Sequence, residues 1–171
     1  SEWIVVSDNK FAGSDNDWTV HAGPQNQDSD ERVRNVIFER NWFTAGIGTQ
    51  VALIIAAESE VTVRNNICDT SGALSHHCFG ISAPASSPSP SQIRIFHNTA
   101  YSADSGNNFV LVDIDPAVTN VTVQNNLAYA PNDTRNELIA GPGALGAVVS
   151  NNSDASQVLS VSPQWNAAMP T

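Results

Sequence analysis

The sequence predicts an all-β protein, a solenoid of about five to six stacked coils, and three observations carry that expectation. The first is a recurring motif. Val5-Val6-Ser7-Asp8-Asn9, Val36-Ile37-Phe38-Glu39-Arg40-Asn41, Val61-Thr62-Val63-Arg64-Asn65-Asn66, Ile93-Arg94-Ile95-Phe96-His97-Asn98, Val121-Thr122-Val123-Gln124-Asn125-Asn126 and the weaker Ala147-Val148-Val149-Ser150-Asn151-Asn152 are six copies of one pattern. The second is its spacing. The copies align on Asn9, Asn41, Asn66, Asn98, Asn126 and Asn152, at intervals of 32, 25, 32, 28 and 26 residues, in the range that marks stacked repeats. The third is columnar chemistry. Five places before each Asn stand Ile4, Val36, Val61, Ile93, Val121 and Ala147, and three places before stand Val6, Phe38, Val63, Ile95, Val123 and Val149. Both columns are apolar throughout and almost wholly β-branched or aromatic, which is strand composition with a period of two.

Stacked copies bring the six asparagines into line. Each side-chain amide is then placed to donate to the next one along the axis, so that buried polar groups satisfy one another. Asn also tolerates the left-handed backbone region that a tight corner needs. This pattern resembles the right-handed parallel β-helix, the pectate-lyase-like fold, in which asparagine ladders at one turn are a family feature. The resemblance covers nearly the whole chain. It implies a fold more than an activity, because lyases, hydrolases, epimerases, binding modules and adhesins share it. An antiparallel sandwich also uses Val-x-Val followed by Asn, but its strands recur every roughly 8 to 12 residues.

Taken in order, residues 1 to 13 supply the first strand, Asp15 to Trp18 a turn, and Trp18 to His21 a second strand. Ala22 to Arg32 is a long polar loop. Its Gly23-Pro24-Gln25 and Asp30-Glu31-Arg32 resemble a stretch of some bacterial β-helix repeat proteins, with no chemistry attached, and its charges suit capping of a coil. Residues 33 to 46 open the second coil. Gln50 to Ala57 is apolar on nearly every residue, as expected for burial on both faces or for an outer face covered by a neighbour. Residues 61 to 70 open the third coil, followed by His76 to Ser82 and a Pro/Ser-rich loop from Ala83 to Ser91. The fourth coil runs from Ile93 to Tyr101 and continues through Asn108 to Pro116, where alternation places Val110, Val112 and Ile114 inward and Leu111, Asp113 and Asp115 outward. Val121 to Tyr129 and Glu137 to Ala140 form the fifth, and Ala147 to Asn152 a partial sixth. The expected domain is single, residues 1 to 171, with a tail from about residue 153 closing the open end. At roughly 4.8 Å per coil the stack is about 30 Å tall.

Composition narrows the partners. The net charge of −10 and a single lysine, Lys10, argue against nucleic acid and anionic membrane surfaces. They also disfavour a densely anionic polymer such as polygalacturonate unless cations bridge the two. Only 14% of residues are charged, so the surface is polar and not ionic. Cys68 and Cys78 fall within one coil, either as a disulfide, which implies an exported, extracellular protein, or as two buried thiols. No apolar run approaches the length of a membrane span, and no signal peptide is present. The chain enters directly into a strand and reads as a mature product or excised module, which a longer chain would tether to a catalytic domain. Three glycosylation sequons, at Asn120, Asn132 and Asn151, are expected by chance in so Asn-rich a chain.

Stacking turns sequence columns into surface rows, and the rows define candidate sites. Outward of the first strands stand Glu39, Arg64, Arg94, Phe96 and Gln124. In polysaccharide lyases of the fold that the chain resembles, the sugar lies along such a face, an Arg or Lys acts as base, and Ca²⁺ held by Asp residues neutralises the uronate. Arg64 and Arg94 answer to that arginine role, yet only Glu39 supplies acid nearby, and a plain Glu39–Arg64 cross-strand pair accounts for both. Asp113 and Asp115 are candidate Ca²⁺ ligands, paired glycosidase carboxylates, or a solvated outer row. No zinc pattern, nucleophile elbow or phosphate loop is present. Tyr101 and Tyr129 share the column three places after the ladder Asn, with Trp42 in a neighbouring column, and exposed aromatics on a rigid sheet suit pyranose faces. Packing beneath loops is the competing account.

Three readings follow. The first is a non-catalytic carbohydrate-binding module for a plant or cell-wall polysaccharide, for example a xylan-like one, using Trp42, Tyr101, Tyr129, Glu39, Arg64 and Arg94 and requiring no cofactor. The second is a polysaccharide lyase or glycoside hydrolase of the pectate-lyase-like fold. The third is a structural or adhesive β-helix segment.

Overall fold

In a computed structural model the chain forms stacked parallel sheets. The structure describes residues 3–13, 18–23, 34–46, 50–56, 59–73, 77–83, 90–103, 108–132, 135–140 and 146–153. The 15–17 turn, most of the polar loop before Arg34, His76, most of the Pro/Ser-rich loop and the tail expected to close the stack lie outside the described residues. The first coil holds β1 (Ile4–Ser7), β2 (Lys10–Ala12) and β3 (Trp18–Ala22), and the second holds β4 (Arg34–Glu39), β5 (Trp42–Thr44) and β6 (Val51–Ala56). The third holds β7 (Ser59–Arg64), β8 (Ile67–Asp69) and β9 (His77–Ser82), and the fourth β10 (Ser91–Phe96), β11 (Thr99–Tyr101) and β12 (Asn108–Ile114). β13 (Thr119–Gln124), β14 (Leu127–Tyr129) and β15 (Arg135–Ala140) follow, and β16 (Val148–Ser150) begins one more coil.

Every third strand pairs in parallel with its equivalent in the next coil. A first sheet runs β1-β4-β7-β10-β13-β16, a second β2-β5-β8-β11-β14, and a third β3-β6-β9-β12-β15. The second sheet consists of three-residue strands just after each ladder Asn, separate from the first strands and not continuous with them.

Register confirms the repeat alignment. Ile4, Val36, Val61, Ile93 and Val121 are successive partners, as are Val6, Phe38, Val63, Ile95, Val123 and Val149. Val61, Val63, Ile93, Ile95 and Val123 are fully buried. The columns open at the ends, where a coil has one neighbour: Ile4 is 51% exposed and Val149 46%. Across the core, Phe11 stacks on Phe43 with centroids 5.2 Å apart, and Phe43 meets the edge of Phe79. A disulfide joins Cys68 of β8 to Cys78 of β9, both fully buried, with 6.0 Å between their Cα atoms.

The third sheet departs from simple alternation. Leu111, expected to face outward, is fully buried, as are Phe109 and Val112. The same happens one coil earlier at Cys78 and Phe79 and again at Ala52 and Leu53, so adjacent residues both enter the core. Val51 and Ile54, in contrast, are half-buried on the outside.

The asparagines close the corner between first and second sheets. Asn66 shows the complete pattern. Its side-chain nitrogen donates to the Phe38 carbonyl at 2.9 Å and to Asn98 Oδ1 at 3.0 Å, and its backbone N–H donates to the same Oδ1 at 3.0 Å. Its own Oδ1 accepts from the side chain and backbone of Asn41 at 3.1 and 2.9 Å. Equivalent amide contacts link Asn9 to Asn41, Asn98 to Asn126 and Asn126 to Asn152. Asn41, Asn66, Asn98 and Asn126 are buried to within 2%. The left-handed backbone expected at these asparagines lies one residue earlier, at Asp8, Arg40, Asn65, His97, Asn125 and Asn151, with φ between 53° and 60°. The ladder residue can then turn its amide inward while its predecessor absorbs the bend. A second left-handed column, Asn35, Glu60, Gln92 and Asn120, with φ of 56° to 58°, turns the chain from the third sheet into the first.

Asn66→Ala removes buried partners from both neighbouring asparagines. It should lower unfolding free energy by about 1 to 3 kcal/mol in urea titration, and a loss below roughly half of that lower bound would show that the ladder contributes little.

Candidate functional site

The first sheet carries a furrow on its outer side, built from two columns of the repeat. One column stands four places before each ladder Asn and points outward from the strand, and it includes Thr62, Arg94, Thr122 and Val148. The other stands six places before: Trp3, Asn35, Glu60, Gln92, Asn120 and Gly146. Trp3, Asn35, Glu60, Thr62, Gln92 and Arg94 enclose a recess of about 330 Å³. A second recess shares Gln92 and Arg94 and continues past Asn120, Thr122 and Gly146 to Val148. Together they trace the axis of the stack.

Local backbone explains the lining. At a residue with positive φ the chain swings out of the strand, so Asn35, Glu60, Gln92 and Asn120 mark a shoulder beside the sheet. Asn is among the residues that best tolerate this region, whereas Glu60 and Gln92 occupy it against the usual preference. Glu60, Gln92 and Asn120 are exposed, and Trp3 is 52% exposed at the first-coil end. Arg94 lies in register between Thr62 and Thr122 and is exposed. Neither Arg94 nor Glu60 makes an ion pair among the described residues.

The residues singled out from sequence are distributed over three surfaces. Arg94 is in the furrow. Glu39 and Arg64 are cross-strand partners on the other outward row of the same sheet. Glu39 is 8% exposed and accepts from Arg64 at 2.6 Å on one carboxylate oxygen and from Arg40 at 2.6 Å on the other. Arg40 also grips Asp8 in a two-pronged pair, both contacts 2.8 Å. The hydrogen bonds from Arg64 and Arg40 hold the Glu39 carboxyl below its usual pKa, and Arg40 does the same for Asp8. These side chains are engaged with one another.

The aromatics occupy the second sheet. Tyr101 and Tyr129 are register partners whose rings stack at 6.1 Å and 18°. The shared column thus becomes a stacked pair, and each ring spends one face on the other. Trp42 belongs to the other outward row of that sheet, in register with Lys10 and Ile67, and borders a shallow hollow with Asp8, Lys10, Arg40 and Asn65. It does not continue the tyrosine pair.

Asp113 and Asp115 lie by the third sheet. A dent there is floored by Val51, Ile54 and Gly80, and both carboxylates border it. A Cβ on Gly80 would stand 3.1 Å from Val51 Cγ1, so a side chain at this position would crowd the dent. Asp113 Oδ2 is 3.5 Å from His77 Nδ1, and the hydrogen bond from His77 lowers the Asp113 pKa against the opposing effect of burial. Asp115 Oδ1 accepts the Ala117 N–H, holding the turn that follows. Among the described residues no three His, Cys, Asp or Glu side chains converge as a metal cage. Asp113 and Asp115 alone supply only part of the six to eight oxygens that Ca²⁺ takes.

The furrow's shoulder column was missed from sequence, although a signal was present: the place six before the ladder holds Asn, Glu, Gln and Asn in four consecutive copies. Comparison with protein-family models, curated proteins and solved structures found no match. The class of protein is thus defined by its fold alone, a parallel β-solenoid, and no helix among the described residues is long and apolar enough to cross a membrane.

His77→Gln should raise the Asp113 pKa toward the ordinary carboxylate value, read by NMR titration of the side chain. The folded-state value lies below the unfolded one, so the pair's stabilisation is present above the unfolded carboxylate pKa and fades as pH falls through the lowered one. An unchanged Asp113 titration in the variant would show that His77 is not the cause.

Proposed function

We propose that the chain is an exported, non-catalytic carbohydrate-binding module that holds a plant or cell-wall polysaccharide, xylan-like in its largely neutral backbone, along the furrow of the first sheet. The observation that carries this reading is the shoulder column, in which Asn35, Glu60, Gln92 and Asn120 repeat at strand spacing beside the exposed indole of Trp3. Amide side chains both donate and accept, as sugar hydroxyls do. The column steps about 4.8 Å per coil, with amides at Asn35, Gln92 and Asn120 and a carboxylate at Glu60, so a linear polymer meets a polar side chain at each of these coils. An exposed indole offers the apolar face on which a pyranose ring stacks. The scaffold is rigid, which limits the ordering cost of binding.

Other features agree. A net charge of −10 suits a neutral ligand better than a polyanion, and the Cys68–Cys78 disulfide suits an extracellular setting. Contacts of this kind require no cofactor. The aromatics of the second sheet remain a second surface for the same class of ligand, with Trp42 and the outer face of Tyr129 as its contacts.

The test is gel retardation by a panel of neutral and acidic polysaccharides, run beside assays for new reducing ends and for unsaturated uronates. Wild-type protein should be retarded by a neutral glycan and release no product. Trp3→Ala combined with Gln92→Ala should weaken that affinity about 10-fold or more, the loss of one stacking contact and one hydrogen bond, while Trp42→Ala and Tyr129→Ala leave it unchanged. Loss of binding in the latter pair alone would move the site to the second sheet. Product release would favour the lyase or hydrolase reading, and neither retardation nor product would leave a structural segment.

A further inference from the structure

We propose that Arg94 reads a carboxylate carried at intervals on an otherwise neutral glycan, and so sets the furrow's specificity. This rests on the furrow being a glycan site. Of the arginines of the first sheet and its corner with the second, Arg40 and Arg64 are committed to Asp8 and Glu39 at 2.6 to 2.8 Å, and Arg34 of β4 does not line the furrow. Arg94 is different. It is the one cation among the described residues lining the furrow, it is exposed, and it makes no ion pair among the described residues. Its register neighbours, Thr62 and Thr122, have short side chains, and no charged partner among the described residues engages the guanidinium. A planar fork of donors matches a carboxylate two bonds at a time, which an amide or hydroxyl of a neutral sugar cannot do.

The surroundings set the density of charge that is accepted. Glu60 lines the same recess from the preceding coil, and the chain as a whole is strongly acidic. A polymer with a carboxylate on every residue would place one against Glu60 whenever another reached Arg94. A neutral backbone with sparse uronate branches presents its carboxylate to Arg94 and neutral residues to Glu60, Gln92 and Asn120. An exposed charge pair of this kind adds little affinity and much discrimination.

The experiment compares affinity electrophoresis on methylglucuronoxylan and on the same polymer after carboxyl reduction, for wild type, Arg94→Gln and Arg94→Lys. Wild type should bind the uronate-bearing polymer about 5-fold more tightly than the reduced one, the ratio expected of one exposed charged contact. Arg94→Gln should bind both equally, at the wild-type affinity for the reduced polymer, and Arg94→Lys should recover part of the ratio. Equal wild-type binding to both polymers, or a ratio surviving in Arg94→Gln, overturns the assignment. Equal weakening on both polymers overturns it as well, since Arg94 would then be a general contact. Failure of wild type to bind either polymer would instead bring down the glycan reading itself, and this inference with it.

Discussion

The structure depends on the need of buried asparagine amides to find partners in the neighbouring coils. An amide side chain has two donors and an acceptor with two lone pairs. In the interior copies all are used: the nitrogen serves the carbonyl of the preceding coil and the oxygen of the next asparagine, and the oxygen takes two bonds from the coil before. A slip by one residue would turn every inward Val, Ile and Phe of the first sheet outward and would also strand the amides. Apolar burial and polar satisfaction thus select the same register, the agreement between levels that gives a sequence one structure.

The corners convert this register into a surface. Positive φ before each ladder Asn turns the chain into the second sheet, and positive φ at Asn35, Glu60, Gln92 and Asn120 brings it into the first. Both corners recur coil by coil, so side chains at them form rows along the axis. One row became an ion-pair chain, with Asp8 and Arg40 on successive corners and Glu39 and Arg64 beside them. The other carries amides and one carboxylate beside the recesses of the first sheet, which is where we propose that a ligand binds.

Much of the architecture was legible because solenoid repeats write contacts as columns. The inward columns, the asparagine alignment, the Tyr101–Tyr129 adjacency and the Glu39–Arg64 pair follow from counting back or forward from each ladder Asn. What was not legible depends on backbone geometry that side-chain periodicity does not encode. Leu111 is buried because two successive residues of the third sheet enter the core, breaking the period of two on which its outward placement rested. The short second sheet hid because three-residue strands are too brief to show a period. Trp42, one place after its ladder Asn, and the tyrosines, three places after theirs, stand on different rows of the second sheet, as that counting gives. The shoulder column hid because its residues look like ordinary polar turn residues until the φ values align them.

Rigidity links the ladder to the furrow. Each shoulder residue stands one place before an inward Val or Ile of the first sheet, and each of those stands five places before a ladder Asn. The shoulder side chains are therefore fixed at their base by a fully formed core and need only settle their own rotamers on meeting a ligand. Long side chains such as Gln92 and Glu60 lose the most freedom in doing so, which keeps each contact weak. On the proposed reading a polymer crossing several coils would add such contacts on a scaffold whose spacing does not change, and affinity would come from repetition along the axis. The same logic gives a lone cation an outsized role in selectivity. On the proposed reading Arg94, the one cation among the described residues lining the furrow, would fix where along the polymer the protein settles.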